Sequence, residues 1–348
     1  ILHLIDERWD SGITAYALQT ALLQHRAGHA VTVGVLAGRK PEELAVDLGL
    51  ITAPFGGLFS LLRLINRPWD LINAHTGRTH TWSVLMRSLS APGTPGWVPV
   101  VRTRGDARPV SVHPLSKFLF SRTAGFIAAS AHIGRQFEEW AGVGEDRLEI
   151  VFPSVDVDPE TRPLPHGRVG ILGRLDPVKG HVFFLEAAAF VLKKRPDARF
   201  LVAGKEADIN QKLLRNQADQ LGISHAVDFV GFTPDAREFM RSCTVGVVAS
   251  IGSEEISRAC LEWMSVGRPV VATTVGSLPE LVEPDETGVL VPPEDGGSMA
   301  EAILTFLNDA SRAAAFGRAG TDKVRRFFSA ETQLSKTLAL YDRVLTRR

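Results

Sequence analysis

Two α/β domains, each a doubly wound parallel sheet, are what this sequence predicts, on three observations. Short, nearly continuous apolar runs alternate with stretches whose apolar residues recur at helical spacing, the pattern of parallel strands covered on both faces. The alternation breaks at a proline- and acid-rich stretch, PSVDVDPETRPLPHG (153–167), and then starts afresh. The chain is 348 residues long, more than twice a typical domain.

In order, Ile1 to Ile5 reads as a strand, Tyr16 to Leu23 carries a helical apolar period, and Val31 to Leu36 is the next strand. The turn before the first helix holds Asp10, Ser11 and Gly12, where a glycine lets backbone amides approach an anion or simply makes a tight turn. Leu58 to Ile65 and PLSKFLFSR (114–122) are apolar stretches edged by Arg63, Arg67, Lys117 and Arg122, so packing on a sheet and contact with a membrane surface are both open to them. Strands follow at Trp69 to Asn73, which ends at His75, and at Val98 to Thr103, which runs into Arg104, Gly105 and Asp106. The last two charges favour a binding loop, or a pair with each other at the surface. Gly125 to Ser130, a helix from His132 to Trp140, and Leu148 to Phe152 complete the first series. The second runs through strands at Val169 to Leu172, Arg199 to Ala203, Val227 to Val230, Val245 to Val248, Pro269 to Thr273 and Gly288 to Val291, with helices between them. Amphipathic basic helices over Arg312 to Phe328 and Thr332 to Leu345 end the chain. The expected division is 1–158, 159–328 and a C-terminal helical piece, 329–348, returning to the first domain.

Composition narrows the function. Lys and Arg together number 39, as do Asp and Glu, which does not favour a nucleic-acid-binding stripe. Cys243 and Cys260, each among apolar residues, are too few for a disulfide framework or a thiolate zinc site. No apolar run reaches the length of a membrane span and no signal-peptide pattern is visible, so the reading is a cytoplasmic protein, with the inner membrane face as a place of work.

The chemistry concentrates at the ends of second-series strands. Gly173-Arg174-Leu175-Asp176-Pro177-Val178-Lys179-Gly180 links a strand to a helix, and its two cations can hold a pyrophosphate, Arg174 bidentately and Lys179 as a point charge. In ASIGSEEISRACLEWMSVGRPVVATTVG (249–276), Glu254 and Glu262 stand eight positions apart, so on a helix they project to similar sides. Carboxylates there suit sugar or ribose hydroxyls; alternatively Glu254 and Glu255 only complement a helix N-terminus. Gly276, Ser277 and Leu278 form a third loop at a strand end, and by topology the three loops converge on one cleft. GxGxxG after a first strand and GxxxxGK[ST] are both absent, which does not support a dinucleotide fold or a P-loop kinase.

With these residues together, the chain resembles a family 4 glycosyltransferase of the GT-B fold, two Rossmann-like domains facing a cleft. The likeness is densest over Gly173 to Gly180 and Ser250 to Pro293. It implies that Arg174 and Lys179 hold the diphosphate of a nucleotide sugar, that Glu254 contacts the transferred sugar, and that Glu262 contacts the ribose. It also places Ser11 and Gly12 under the donor phosphates and Gly276, Ser277 and Leu278 beside them. Retention of anomeric configuration without a metal or cofactor is the implied chemistry, with Glu254, Arg174 and Lys179 carrying it.

Two positions depart from the pattern: Glu255-Ile256-Ser257 stands where many relatives have Gly-Phe-Gly, and Gly105 where many have a histidine. Arg104, Asp106 or His75 then falls to the sugar or acceptor. The expected function is transfer from a nucleoside diphosphate sugar to a glycan or glycolipid of the bacterial envelope, lipopolysaccharide among them. The alternatives are a sugar-nucleotide epimerase of similar architecture and a non-catalytic partner subunit that keeps the nucleotide-sugar site.

Overall fold

The computed structural model describes residues 1–87, 98–106, 108–110, 113–158, 163–252, 254–255 and 257–346. Part of the expected junction, 159–162, and Ile256 lie outside these residues. The chain divides into two compact units, Ile1–Pro153 with Ala330–Arg348, and Ser154–Ser329.

Each unit is a parallel sheet. The first has β1 (Leu2–Ile5), β2 (Thr32–Leu36), β3 (Ile51–Phe55), β4 (Ile72–Ala74), β5 (Val100–Arg104), β6 (Gly125–Ala128) and β7 (Leu148–Ile150), in the order β3-β2-β1-β4-β5-β6-β7. The second has β8 (Arg168–Leu172), β9 (Arg199–Ala203), β10 (Val227–Gly231), β11 (Val245–Val248), β12 (Val270–Thr273) and β13 (Gly288–Val291), in the order β10-β9-β8-β11-β12-β13. In both, the chain builds outward from one central strand and then returns to its other side. The switch points lie between β1 and β4 and between β8 and β11, where doubly wound sheets open a crevice for ligands.

Strands read as unbroken apolar runs because both faces are covered. In the first unit, Leu2, Leu4 and Phe55 pack with Leu61, Leu64, Val84 and Leu119 of the helices Leu58–Ile65, Gly77–Arg87 and Pro114–Ser121. Ile5, Val33 and Val35 pack in a separate cluster with Ala17, Leu18, Ala21 and Ala45 of the helices Gly12–Arg26 and Lys40–Asp47. The helix Ala330–Thr346 belongs to this unit: Leu340, Tyr341 and Val344 cover Leu71, Val101 and Ile127, and Asn73 donates to the Tyr341 hydroxyl at 2.6 Å.

In the second unit, Gly170 and Gly246 pair across β8 and β11. A Cβ on Gly246 would lie 2.2 Å from the Trp263 ring, and one on Gly170 2.8 Å from it. This bare floor receives the fully buried indole of Trp263 and seats its helix, Arg258–Ser265, against β11. Packing of this density fixes how the segment ahead of that helix leaves the sheet.

The sequence pattern misses three elements of the first unit: β3 and the helices Lys40–Asp47 and Gly77–Arg87. Cys243 and Cys260 are buried and unpaired. No helix among the described residues is long and apolar enough to cross a membrane.

Candidate active site

The second unit's crevice is built by the loops after β8, β11 and β12. After β8, the side chain of Asp176 accepts from the amide of Val178 at 3.1 Å and starts a short 3-10 turn, Pro177–Lys179. Gly180 then turns the chain into the helix His181–Lys194 with a φ of +68°. A Cβ there would lie 1.9 Å from the carbonyl oxygen of Ala249, so only glycine lets the β8 loop lie on the end of β11. Ile251 amide to Val178 carbonyl, 2.9 Å, ties the two loops together.

That seating puts Lys179 against Glu254. The ammonium and carboxylate form an ion pair, with Glu254 buried (side chain 4% exposed) and Lys179 partly open (29%). Ser250 also donates to the same carboxylate oxygen at 2.5 Å, and Thr273 at the end of β12 holds the Ser250 carbonyl at 2.6 Å. The Glu254 carbonyl accepts from the amide of Ser277 at 2.9 Å and from its hydroxyl at 2.7 Å. Gly276 makes this possible: its φ is +57°, and a Cβ would sit 2.7 Å from that carbonyl oxygen. Leu278 is buried and opens the short helix Leu278–Leu281.

Lys179, Glu254, Gly276 and Ser277 are thus brought together across the switch point. Arg174, on the same loop as Lys179, is exposed and pairs with Asp176 at 2.8 Å, while Gly173 leads out of β8. Glu254 is not helical, because the helix begins at Arg258, so the eight-residue spacing does not set its direction relative to Glu262. Glu262 sits on that helix, a quarter exposed, and pairs with Arg258 at 3.2 Å. The first turn of the helix holds no acid, which removes the simple N-terminal charge role for Glu254 and Glu255. Sequence reasoning did not find Ser250 and Thr273, whose hydroxyls meet Glu254 and its loop only through the fold. Burial above all, then the Glu254 carboxylate, pushes the Cys260 thiol up, and burial followed by Lys179 lowers His181 to about 4.

The remaining candidates belong to the first unit. Ser11 caps the helix Gly12–Arg26, accepting from the Thr14 amide at 3.2 Å, and a Cβ on Gly12 would meet open space. His75 follows β4 but points inward, stacked on His3 with a ring-nitrogen contact of 2.9 Å, which makes it part of the core. Arg104 and Asp106 do pair, at 3.2 Å, but as a partly buried pair rather than a surface one, with side chains 8% and 15% exposed. The guanidinium also reaches the carbonyl of Arg108 and lies 6.0 Å from the centre of the Phe137 ring.

Residues 166–309 match the family model described as glycosyl transferases group 1. The D-inositol 3-phosphate glycosyltransferase of Corynebacterium aurimucosum is 25% identical over 340 residues, covering 89% of this chain and 80% of that protein. The lipopolysaccharide core biosynthesis mannosyltransferase LpsB of Rhizobium meliloti is 27% identical over 241 residues, 66% of this chain and 68% of that one. Among solved structures, Anabaena Alr3699/HepE in complex with UDP superimposes with a TM-score of 0.83 at 20% identity, covering 98% of this chain and 99% of that one. The fold shared with such structures is GT-B.

Proposed function

We propose that this chain, a glycosyltransferase of the group 1 type, moves a sugar from a nucleoside diphosphate sugar to a glycan or glycolipid of the bacterial envelope, with retention of configuration and without a metal. The observation that carries the reading is the Lys179–Glu254 pair at the β8/β11 switch point. Without donor, each charge satisfies the other. With donor, the ammonium turns to the diphosphate, where negative charge grows as the glycosidic bond breaks, and the buried carboxylate accepts from sugar hydroxyls. Arg174, held by Asp176 at the rim, adds a second cation, so positive charge for the leaving group comes from side chains. Glu262 serves the ribose, and Gly276, Ser277 and Leu278 line the phosphates. Of the first unit's residues, Ser11 and Gly12 are assigned to donor phosphates and Arg104 and Asp106 to the acceptor by the resemblance alone.

Two findings favour this substrate class: relatives are named D-inositol 3-phosphate glycosyltransferase and lipopolysaccharide core biosynthesis mannosyltransferase, and a structural neighbour holds UDP. A membrane-side place of work is supported by Phe59, Leu115 and Phe118, exposed at 84%, 49% and 42%, beside Arg63, Arg67, Lys117 and Arg122. Incubation with candidate nucleotide sugars and lipid-linked or core oligosaccharide acceptors tests the proposal. The expected result is acceptor-dependent release of nucleoside diphosphate and a product linkage with the donor's anomeric configuration. Donor conversion without any acceptor, or an inverted product, would sink it.

A further inference from the structure

At the first unit's own switch point, the ends of the adjacent strands β1, β4 and β5 carry Asp6 and Glu7, Arg78, and Arg102, Arg104, Asp106 and Arg108. Most of these charges are committed. Asp106 accepts from Arg104 at 3.2 Å, and from the Arg108 amide at 3.2 Å and its Nε at 3.3 Å, while Arg78 lies 3.7 Å from Asp6. Arg102 is the exception. Only 6% of the residue is exposed, yet its one hydrogen bond runs from Nη1 to the Ala74 carbonyl at 3.2 Å, and it forms no ion pair with any described residue.

A guanidinium has five N–H donors, and a desolvated cation with no carboxylate in contact is costly. Burial lowers the Arg102 pKa to about 10, against the pull of Asp106 and Asp6, which attract it without pairing with it. The rings beside it give no anion: burial first keeps both neutral, followed by His3 and then Arg102 for His75, and by Arg102 for His80. A buried guanidinium with no carboxylate in contact, at the carboxyl edge of central strands, matches a ligand that brings an anion to it.

We propose that Arg102 binds an oxyanion, a phosphate or a carboxylate, carried by the acceptor. The assignment rests on the acceptor side of the transferase reading. It separates Arg102 from Arg104, whose guanidinium is engaged with the Asp106 carboxylate and the Arg108 carbonyl.

Calorimetric titration of the full chain with glucose 6-phosphate, glucuronate and glucose, at constant ionic strength and with UDP present, tests this. At least one anion binds and glucose does not; Arg102→Gln weakens the anion at least tenfold and Arg102→Lys at least threefold, while UDP binds both variants as it binds the wild type. Which anion binds separates phosphate from carboxylate. In a second measurement that needs no variant, the wild type with UDP melts higher in phosphate or glucuronate than in chloride of equal ionic strength. Unchanged anion affinity in a folded variant, or wild-type protein that neither binds nor is stabilised by either anion, overturns the proposal. Absence of binding of UDP, GDP, ADP, CDP and TDP alike to the wild type would instead count against the donor site.

Discussion

Replacing Lys179 with methionine keeps most of the side-chain volume and removes only the charge that faces Glu254. Breaking a buried ion pair by deleting one partner costs about 3–5 kcal/mol. Here Lys179 is 29% exposed, and Ser250 still donates to the carboxylate at 2.5 Å. Both soften the loss, so Lys179→Met is expected to destabilise the second unit by about 2–3 kcal/mol. For a unit of this size that is a fall in Tm of about 5–10 °C. The double variant Lys179→Met/Glu254→Gln no longer holds a buried lone charge, and it recovers about 1–2 kcal/mol relative to the sum of the single changes. Affinity for UDP falls roughly 10- to 100-fold in Lys179→Met, the value of one charge-assisted contact. Thermal melts of the wild type, both single variants and the double variant, with calorimetry on each, read all of this. A Lys179→Met melt within about 1 °C of wild type, with additive single effects, would refute the reasoning that these charges are buried against each other.

Two further outcomes follow from the packing. Gly180→Ala forces a Cβ to 1.9 Å from the Ala249 carbonyl at a φ of +68°, so the loops must part; stability should drop by about 3 kcal/mol or more in urea unfolding, and a variant as stable as wild type would contradict the close approach. Acid should also unfold the protein through its buried neutral histidines. Burial holds His3 and His181 at about 4 and His80 at about 3, below the ordinary 6.5, so the unfolded chain binds protons first. The stability they protect is complete above about pH 6.5 and is lost as pH falls toward 4, and His3→Gln should flatten that slope in melts across the window; an unchanged slope would count against it.

The fold was legible because parallel strands covered on both faces must be short apolar runs, and LHLI, VGVV and VVAT are little else. The elements that escaped notice lack that signature. Helix Gly77–Arg87 buries Thr79, His80 and Ser83, so it shows no apolar period, and β3 is a half-exposed edge strand containing Pro54. At the site, the residue types were readable but their pairing was not. Lys179 and Glu254 are 75 positions apart, Ser277 reaches the Glu254 carbonyl from the loop after β12, and Thr273 holds the carbonyl of Ser250, whose hydroxyl meets the Glu254 carboxylate. The Glu254 to Glu262 spacing misled because Glu254 lies outside the helix, which begins at Arg258, so helical periodicity does not relate the two. In RTRGD, strand alternation puts Arg102 and Arg104 on one face, but only the folded structure decides which of them takes Asp106.

The central claim is that the loops after β8, β11 and β12 hold a nucleoside diphosphate. Calorimetric titration with UDP, GDP, ADP, CDP and TDP, on the wild type and on Arg174→Ala, tests it most directly. One of the five is expected to bind in the micromolar range, with its affinity collapsing in the variant. Binding of none of them, or equal binding with and without Arg174, would contradict it.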